Sequence, residues 1–200
     1  MKIKYRDVVL RDLEHSDIDK MVYFMTEETE WNDWDAPWEP VADDFEEQKY
    51  RASLEACMND SFDEPRWQLQ VDTADGVLIG RVNSYMIDEN YQWISVRDIE
   101  PEQSVYRALG LDILDSRYWG CGLGTQALTA WICYHLEYAN QPLFVQTWSG
   151  NSRMIHLALK LGFEEQRRFP GIRQVRGGSY DAVTFRLNLD LFHRFLSENS

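Results

Sequence analysis

Hydrophobic and polar residues alternate with a period of two along several short stretches of the chain, and switch to a helical period between them. Residues 3–10 alternate as a first strand. Ser16 stands as an N-cap before a helical stripe of Ile18, Met21, Val22 and Met25. Residues 45–58 again have helical spacing. Residues 67–72 and 77–87 alternate and are separated by Asp75-Gly76, a dipeptide that favours a hairpin turn. A turn over 88–90, a strand over 91–96 and a polar loop over 98–104 with Pro101 follow. The second half reads as strand 105–114, helix 123–138, strand 143–148, helix 152–161, and strands 163–169 and 181–189. An amphipathic tail over 191–196 closes it. Helix 123–138 carries Leu123, Ala127, Leu128, Trp131, Ile132, His135 and Leu136 on one stripe, and His135 there reads as a packed histidine. Antiparallel strands followed by a strand–helix–strand–helix–strand half predict an α+β (mixed α/β) fold, a central mixed, mostly antiparallel sheet flanked by helices.

Two hundred residues allow one domain with a sizeable core, expected over 1–200. The formal net charge of −14 argues against nucleic acid as a partner, because a phosphate backbone needs a basic face. No apolar run has the length of a membrane span, and Met1-Lys2-Ile3-Lys4-Tyr5-Arg6-Asp7 lacks the apolar stretch of a signal peptide. Cys57, Cys121 and Cys133 have neither paired spacing nor a His in a metal pattern. They read as reduced thiols of a cytoplasmic protein with no metal and no membrane association.

The most informative segment is Tyr118-Trp119-Gly120-Cys121-Gly122-Leu123-Gly124-Thr125-Gln126-Ala127-Leu128, where a strand hands over to a helix. Such a glycine-rich turn lets backbone N–H groups cradle a phosphate at the positive end of the helix dipole. A P-loop would need Lys and Ser or Thr after the last glycine, and Gly124 is followed by Thr125-Gln126. A dinucleotide fingerprint needs Gly-x-Gly-x-x-Gly and an acidic residue ending the next strand, whereas that strand ends in Trp148. A ligand-free turn is the alternative. A second segment runs from Leu143 through Asn151, a natural N-cap, to Gly162-Phe163, a natural helix stop.

Together the two segments resemble the GNAT superfamily of acyl-CoA-dependent N-acetyltransferases. Trp119-Gly120-Cys121-Gly122-Leu123-Gly124 is similar to the family's pyrophosphate loop at Gly122 and Gly124, with Trp119 in place of Arg or Gln. The Tyr-Trp-Gly-x-Gly form resembles the branch with ribosomal-protein N-terminal and spermidine acetyltransferases. Asn151, eleven residues before Gly162-Phe163, matches the second motif, and Gly178-Ser179-Tyr180-Asp181-Ala182 resembles the turn into the last strand. The resemblance implies acetyl-CoA as cosubstrate, bound where strand 105–114 diverges from strand 143–148. It implies that Asp112, Ile113 and Leu114 pair with the pantetheine arm and that Trp119, Gly120, Cys121, Gly122, Leu123, Gly124 and Thr125 hold the pyrophosphate. Asn151 would face the pantetheine or thiol region, cap its helix, or do both. An amine would attack the thioester directly.

The catalytic groups depart from the family. The position of a common acid Tyr is Ala158, that of a branch Ser is Met154, and the early-strand acid falls at Ala108 or Leu109. His156 lies two positions short of the Tyr site. Asp112 remains as a candidate base or as part of a structural pair, with Asn151 beside it as a candidate catalytic group. Otherwise water or the acidic 26–47 segment takes the proton. That segment holds ten acidic residues and no Lys or Arg. Its run Glu30-Trp31-Asn32-Asp33-Trp34-Asp35-Ala36-Pro37-Trp38-Glu39 lies where the family binds its acceptor. Trp31, Asp33, Trp34, Asp35 and Trp38 either bind a cationic amine through ion pairs and ring faces or form an acidic surface loop packed on the core. The resulting expectation is an N-acetyltransferase acting on a small-molecule amine or a peptide N-terminus. A non-catalytic acyl-CoA-binding module is the alternative, and a homodimer stays open.

Overall fold

The computed structural model describes residues 1–38, 45–59, 64–138 and 141–199. Among them are nine strands and five α-helices: β1 Lys2–Tyr5, β2 Val8–Arg11, α1 Ile18–Thr26, α2 Glu47–Asn59, β3 Gln68–Thr73, β4 Leu78–Asp88, β5 Trp93–Ile94, β6 Val105–Ile113, α3 Leu123–Leu136, β7 Leu143–Trp148, α4 Ser152–Lys160, β8 Phe163–Val175, β9 Gly178–Leu187 and α5 Leu189–Glu198. The strands form one sheet in the order β1-β2-β3-β4-β6-β7-β9-β8, with β5 beside β4. Arg107–Leu109 of β6 runs parallel to Leu143–Val145 of β7, while the β1/β2, β2/β3, β3/β4, β7/β9 and β8/β9 pairs are antiparallel. This is the mixed, mostly antiparallel α/β sheet that the residue pattern predicts.

Contacts divide the chain into two compact units, Met1–Asn83 with Leu111–Trp131, and Ser84–Gly110 with Ile132–Ser200. In the first, α1, the Trp31 turn, α2 and the start of β4 bury Ile18, Met21, Phe24, Trp31, Leu54 and Leu78 with Leu114. In the second, Ile87, Ala108 and Phe144 are buried beneath Tyr85, Tyr91 and Tyr106.

Several elements differ from expectation. The first strand is a hairpin: Tyr5 pairs with Val8 across Arg6-Asp7, and Arg6 takes the left-handed φ of 51°. Ser16 does not cap α1. It lies inside a 3₁₀ turn over His15–Asp17, where the Asp17 carboxylate accepts the Glu14 N–H at 2.8 Å and grips Arg11 through two bonds of 2.6 and 2.8 Å. The strand expected over 91–96 shrinks to β5, because Ser95 accepts the Arg97 N–H and starts another 3₁₀ turn. The last two strands are longer than expected and meet in a two-residue turn at Arg176-Gly177, with φ of 48° and 79°, rather than at Gly178-Ser179. Two positive φ values at the centre of a hairpin match the twist of its strands.

Candidate active site

In the first unit, β6 ends in a bulge. The N–H groups of Leu114 and Asp115 both donate to the Ile79 carbonyl of β4, at 2.8 and 3.1 Å, so two residues oppose one. Gly80 makes this approach possible: a Cβ there would lie 2.1 Å from the Asp112 carbonyl oxygen. Asp115 then caps a 3₁₀ turn over Ser116–Tyr118, accepting from the Arg117 N–H and guanidinium. Those Arg117 hydrogen bonds hold the Asp115 carboxyl below the usual carboxylate range against the opposing effect of burial.

The chain enters the glycine loop at Trp119. Its indole Nε1 donates to the Ile113 carbonyl at 2.7 Å, and its ring packs against the Trp31 cluster. The loop is thus tied to the strand residue expected to meet the pantetheine arm. Gly120 and Gly122 have φ of +73° and +83°, and a Cβ on either would meet nothing within 4 Å. Left-handed residues in such a turn aim successive N–H groups into a common concavity. The first α3 bond joins the Gln126 N–H to the Gly122 carbonyl at 3.2 Å. The N–H groups of Leu123, Gly124 and Thr125 therefore point out of the helix end, where the dipole is positive. Open space above outward N–H groups is the geometry of an anion cradle, and it fits a diphosphate. Gly124 serves differently. A Cβ there would stand 3.4 Å from Leu111 Cδ2 and 3.6 Å from Ile113 Cγ1, so a side chain would face β6 and not the cradle. Its small size sets the packing of α3 on β6. Cys121 is exposed.

Asp112, the candidate base, is buried and accepts from Arg81 Nε of β4 at 2.8 Å. It is one half of an ion pair. Burial lowers the Arg81 pKa, but the Asp112 charge and hydrogen bond outweigh it and raise Arg81 above its ordinary range. The Arg81 guanidinium lies 5.6 Å from the centre of the Trp31 ring. Trp31 itself is a core residue whose Nε1 donates to the Phe24 carbonyl at 2.8 Å. Of the two readings open for Trp31, its burial matches the one packed on the core. Trp34 and Trp38 are half-buried, Asp33 and Asp35 are exposed, and Glu39 lies outside the described residues. Arg81 of β4, paired with Asp112, also feels the charge of Asp35. Gly80 and Arg81 were not singled out from sequence, although a glycine inside an alternating strand is a signal of close backbone approach.

In the second unit, Asn151 is buried and its Oδ1 accepts the Met154 N–H at 2.9 Å, the first-turn bond of an N-cap. Gly150 before it is obligatory, because a Cβ would fall 1.8 Å from the Trp148 ring. Gly162 ends α4 at φ +86°, and a Cβ there would lie 2.7 Å from the Phe192 nitrogen of α5. Both ends of this motif thus have structural work, and Ala158 between them is fully buried. His135 is buried as its place on the stripe predicts; burial, with Arg107 adding to it, lowers its pKa to about 3. It stays neutral at physiological pH and does not titrate as a base there. Among the described residues no cluster of His, Cys, Asp and Glu could hold a metal, and no helix is long and apolar enough to cross a membrane.

Residues 7–164 match the family model described as an acetyltransferase (GNAT) domain. No curated protein matches the chain. Among solved structures, an acetyltransferase (GNAT family) from Bacillus anthracis is 14% identical with a TM-score of 0.67, covering 95% of this chain and 99% of that one. The RimL ribosomal-protein alpha-N-acetyltransferase in complex with coenzyme A is 11% identical with a TM-score of 0.68, covering 93% and 97%. The microcin C7 self-immunity acetyltransferase MccE in complex with acetyl-CoA and AMP is 14% identical with a TM-score of 0.65, covering 90% and 92%. At these identities the likeness is one of fold.

Proposed function

The chain belongs to the GNAT acetyltransferase family, and from that premise we propose that it transfers an acetyl group from acetyl-CoA to a primary amine. The observation that carries this reading is the open two-glycine cradle at the start of α3, tied by Trp119 to Ile113. The backbone at Gly120, Gly122, Leu123, Gly124 and Thr125 would hold the diphosphate. Asp112, Ile113 and Leu114 would present the strand edge to the pantetheine arm. In the reaction the amine nitrogen bonds to the thioester carbonyl carbon, the carbon–sulfur bond breaks, and the sulfur leaves as thiolate. The amine's proton must leave before or during attack. Asp112 is engaged by Arg81, so we assign it to positioning Arg81 and route the proton to water. The sister structures named for coenzyme A and acetyl-CoA complexes support the cosubstrate.

The test is a thermal shift with CoA, followed by thiol release from acetyl-CoA against polyamines, aminoglycosides, amino acids and short peptides. A shift together with amine-dependent thiol release is expected. Binding without release on any amine would favour the non-catalytic acyl-CoA module, for which Ala158 and Met154, in place of the family's Tyr and Ser, speak. Neither a shift nor release would overturn both.

Two variants refine the assignment. Asn151→Asp is expected to keep the melting temperature, since Asp caps a helix about as well as Asn, and to raise the KM for acetyl-CoA by losing the amide's donor. Asn151→Ala should lose about 1 kcal/mol of stability. An unchanged KM in the Asp variant assigns Asn151 to the cap alone. Replacing exposed Asp33 and Asp35 together by Asn should raise the KM of a cationic acceptor severalfold and flatten its salt dependence, because exposed charges attract through a screened field. The KM of acetyl-CoA should not move. If efficiency on the best acceptor stays level across salt, the acidic segment is solvated surface.

A further inference from the structure

Tyr50 is anchored on α2 with its ring edge-on to Phe45 at 5.5 Å and its body against the Trp31 cluster. Its hydroxyl is buried and has no hydrogen-bond partner among the described residues. A buried hydroxyl without a partner is destabilising, and one in a native structure calls for an explanation. The same cluster carries Arg81. Its Nε is taken by Asp112, and its planar face lies over Trp31. A guanidinium has further donors on its two terminal nitrogens, and Arg81 makes no other hydrogen bond among the described residues. Its side chain is 22% exposed although the pair is otherwise buried. The two groups share one electrostatic environment: burial raises the Tyr50 pKa and the Arg81 charge acts against it. One Trp-backed region therefore presents two sets of donors that meet no acceptor among the described residues. It lies beside Asp112 and one residue from Ile113, the carbonyl that holds Trp119 of the glycine loop.

We infer that Tyr50 Oη and the terminal nitrogens of Arg81 form an acceptor-recognition subsite, and that it takes a neutral carbonyl oxygen carried by the acceptor close to its reacting amine. The inference rests on the proposed N-acetyltransferase reading and specifies the chemistry of its acceptor. Charge balance selects the oxygen. Arg81 is already neutralised by Asp112, and Asp35 adds a further negative charge nearby. A carboxylate would add a third anion to one cation, whereas an amide carbonyl accepts both sets of donors without one. A simple alkylamine or polyamine would leave the donors unpaired, and a site built to hydrogen-bond a group discriminates strongly against analogues lacking it. An α-amino amide supplies both parts, an ammonium for the exposed acids and a carbonyl oxygen for Tyr50 and Arg81. Free amino amides and peptide ends share this chemistry.

The experiment compares L-alaninamide, L-alanine and isopropylamine, which carry a branched primary amine and differ in the attached group, with an alanyl dipeptide amide as the peptide arm. Because the amide also makes the amine less basic, every kcat/KM is taken per concentration of neutral amine, from rates measured across pH. Thiol release from acetyl-CoA and the thermal shift of the CoA-loaded protein are both read. Alaninamide should exceed isopropylamine and alanine by about 10-fold or more in kcat/KM, the scale of a hydrogen bond to a charged group. A dipeptide amide that exceeds alaninamide in turn assigns the oxygen to a peptide, and the reverse order assigns it to a small amide. Tyr50→Phe should erase part of the alaninamide advantage and leave isopropylamine and the KM of acetyl-CoA unmoved. Its melting temperature should be no lower, since an unpartnered buried hydroxyl is removed; a merely structural Tyr50 would leave the alaninamide preference intact. Arg81→Gln combined with Asp112→Asn keeps the pair neutral and should lose the rest of the preference. Loss of the CoA shift in the parent protein would overturn the reading beneath the inference. A CoA shift with no discrimination among the amines, by turnover or by binding, would overturn the subsite alone.

Discussion

Folded Gly122→Asp protein is expected to bind CoA about 100-fold more weakly than the parent. The carboxylate would stand where the diphosphate is proposed to lie, and two unit charges about 5 Å apart repel by about 3 kcal/mol at an effective dielectric near 20. The fold should survive, because a Cβ at Gly122 meets nothing within 4 Å. What remains is the strain of a left-handed φ, about 1–2 kcal/mol for a residue with a side chain. Gly122→Ala carries that strain without the charge and so isolates it. Calorimetric titration of CoA into both variants, with melting curves alongside, reads the two effects separately. Unchanged affinity in folded Gly122→Asp would remove the glycine loop from the binding site. Gly124→Ala serves as a contrast: its Cβ would face Leu111 and Ile113, so any effect should appear in stability before affinity.

The strand–loop–helix handover was legible because its signals are local. Three glycines within five residues, followed by the stripe of α3, announce a turn and a helix whatever lies around them. The β3–β4 hairpin was equally plain from Asp75-Gly76, where Gly76 takes φ +86°. The first hairpin was hidden because its left-handed residue is Arg6, which carries no turn signature. The length of β8 was hidden by Pro170-Gly171, which reads as a breaker. β8 ends the strand order, so Pro170 has no outer neighbour to which it must donate, and the register shift between Phe169 and Arg173 absorbs the pair.

The site divides in the same way. Backbone cradles are visible in sequence, since glycine at a fixed spacing is their cause. Side-chain constellations are not. Arg81 and Asp112 are thirty-one residues apart, and the β4–β6 neighbourhood that joins them depends on the whole sheet order. Trp31 shows the same limit from the other side. Its acidic neighbours made it look like a recognition residue, while its burial against Phe24 and Leu54 follows from how α1 and α2 pack. The acidic run is thus two things at once: a buried indole that anchors it and exposed carboxylates at Asp33 and Asp35.

Gly162→Ala is expected to cost roughly 2–5 kcal/mol of stability. Two effects add. The left-handed φ of +86° strains alanine by about 1–2 kcal/mol. The new Cβ would also lie 2.7 Å from the Phe192 nitrogen and 2.8 Å from Leu191 Cβ. Phe192 is buried, and the Asn188 N–H that begins the helix donates to the Gly162 carbonyl at 3.0 Å, so α5 can yield only by giving up its own docking. Overpacking of this kind costs about 1–3 kcal/mol. Against a total of roughly 5–15 kcal/mol, the variant should melt roughly 10 °C lower. Gly177→Ala is the control, with φ +79° and nothing within 4 Å of its Cβ, and should lose only the strain. Denaturant unfolding of both variants gives the comparison. Losses within about 1 kcal/mol of each other would mean that α5 does not press on Gly162. The expected gap would assign the Gly-Phe end of the second motif to holding the last helix. Activity per folded molecule should then survive in the cold, since Gly162 acts on how much protein is folded and not on the bond that is made.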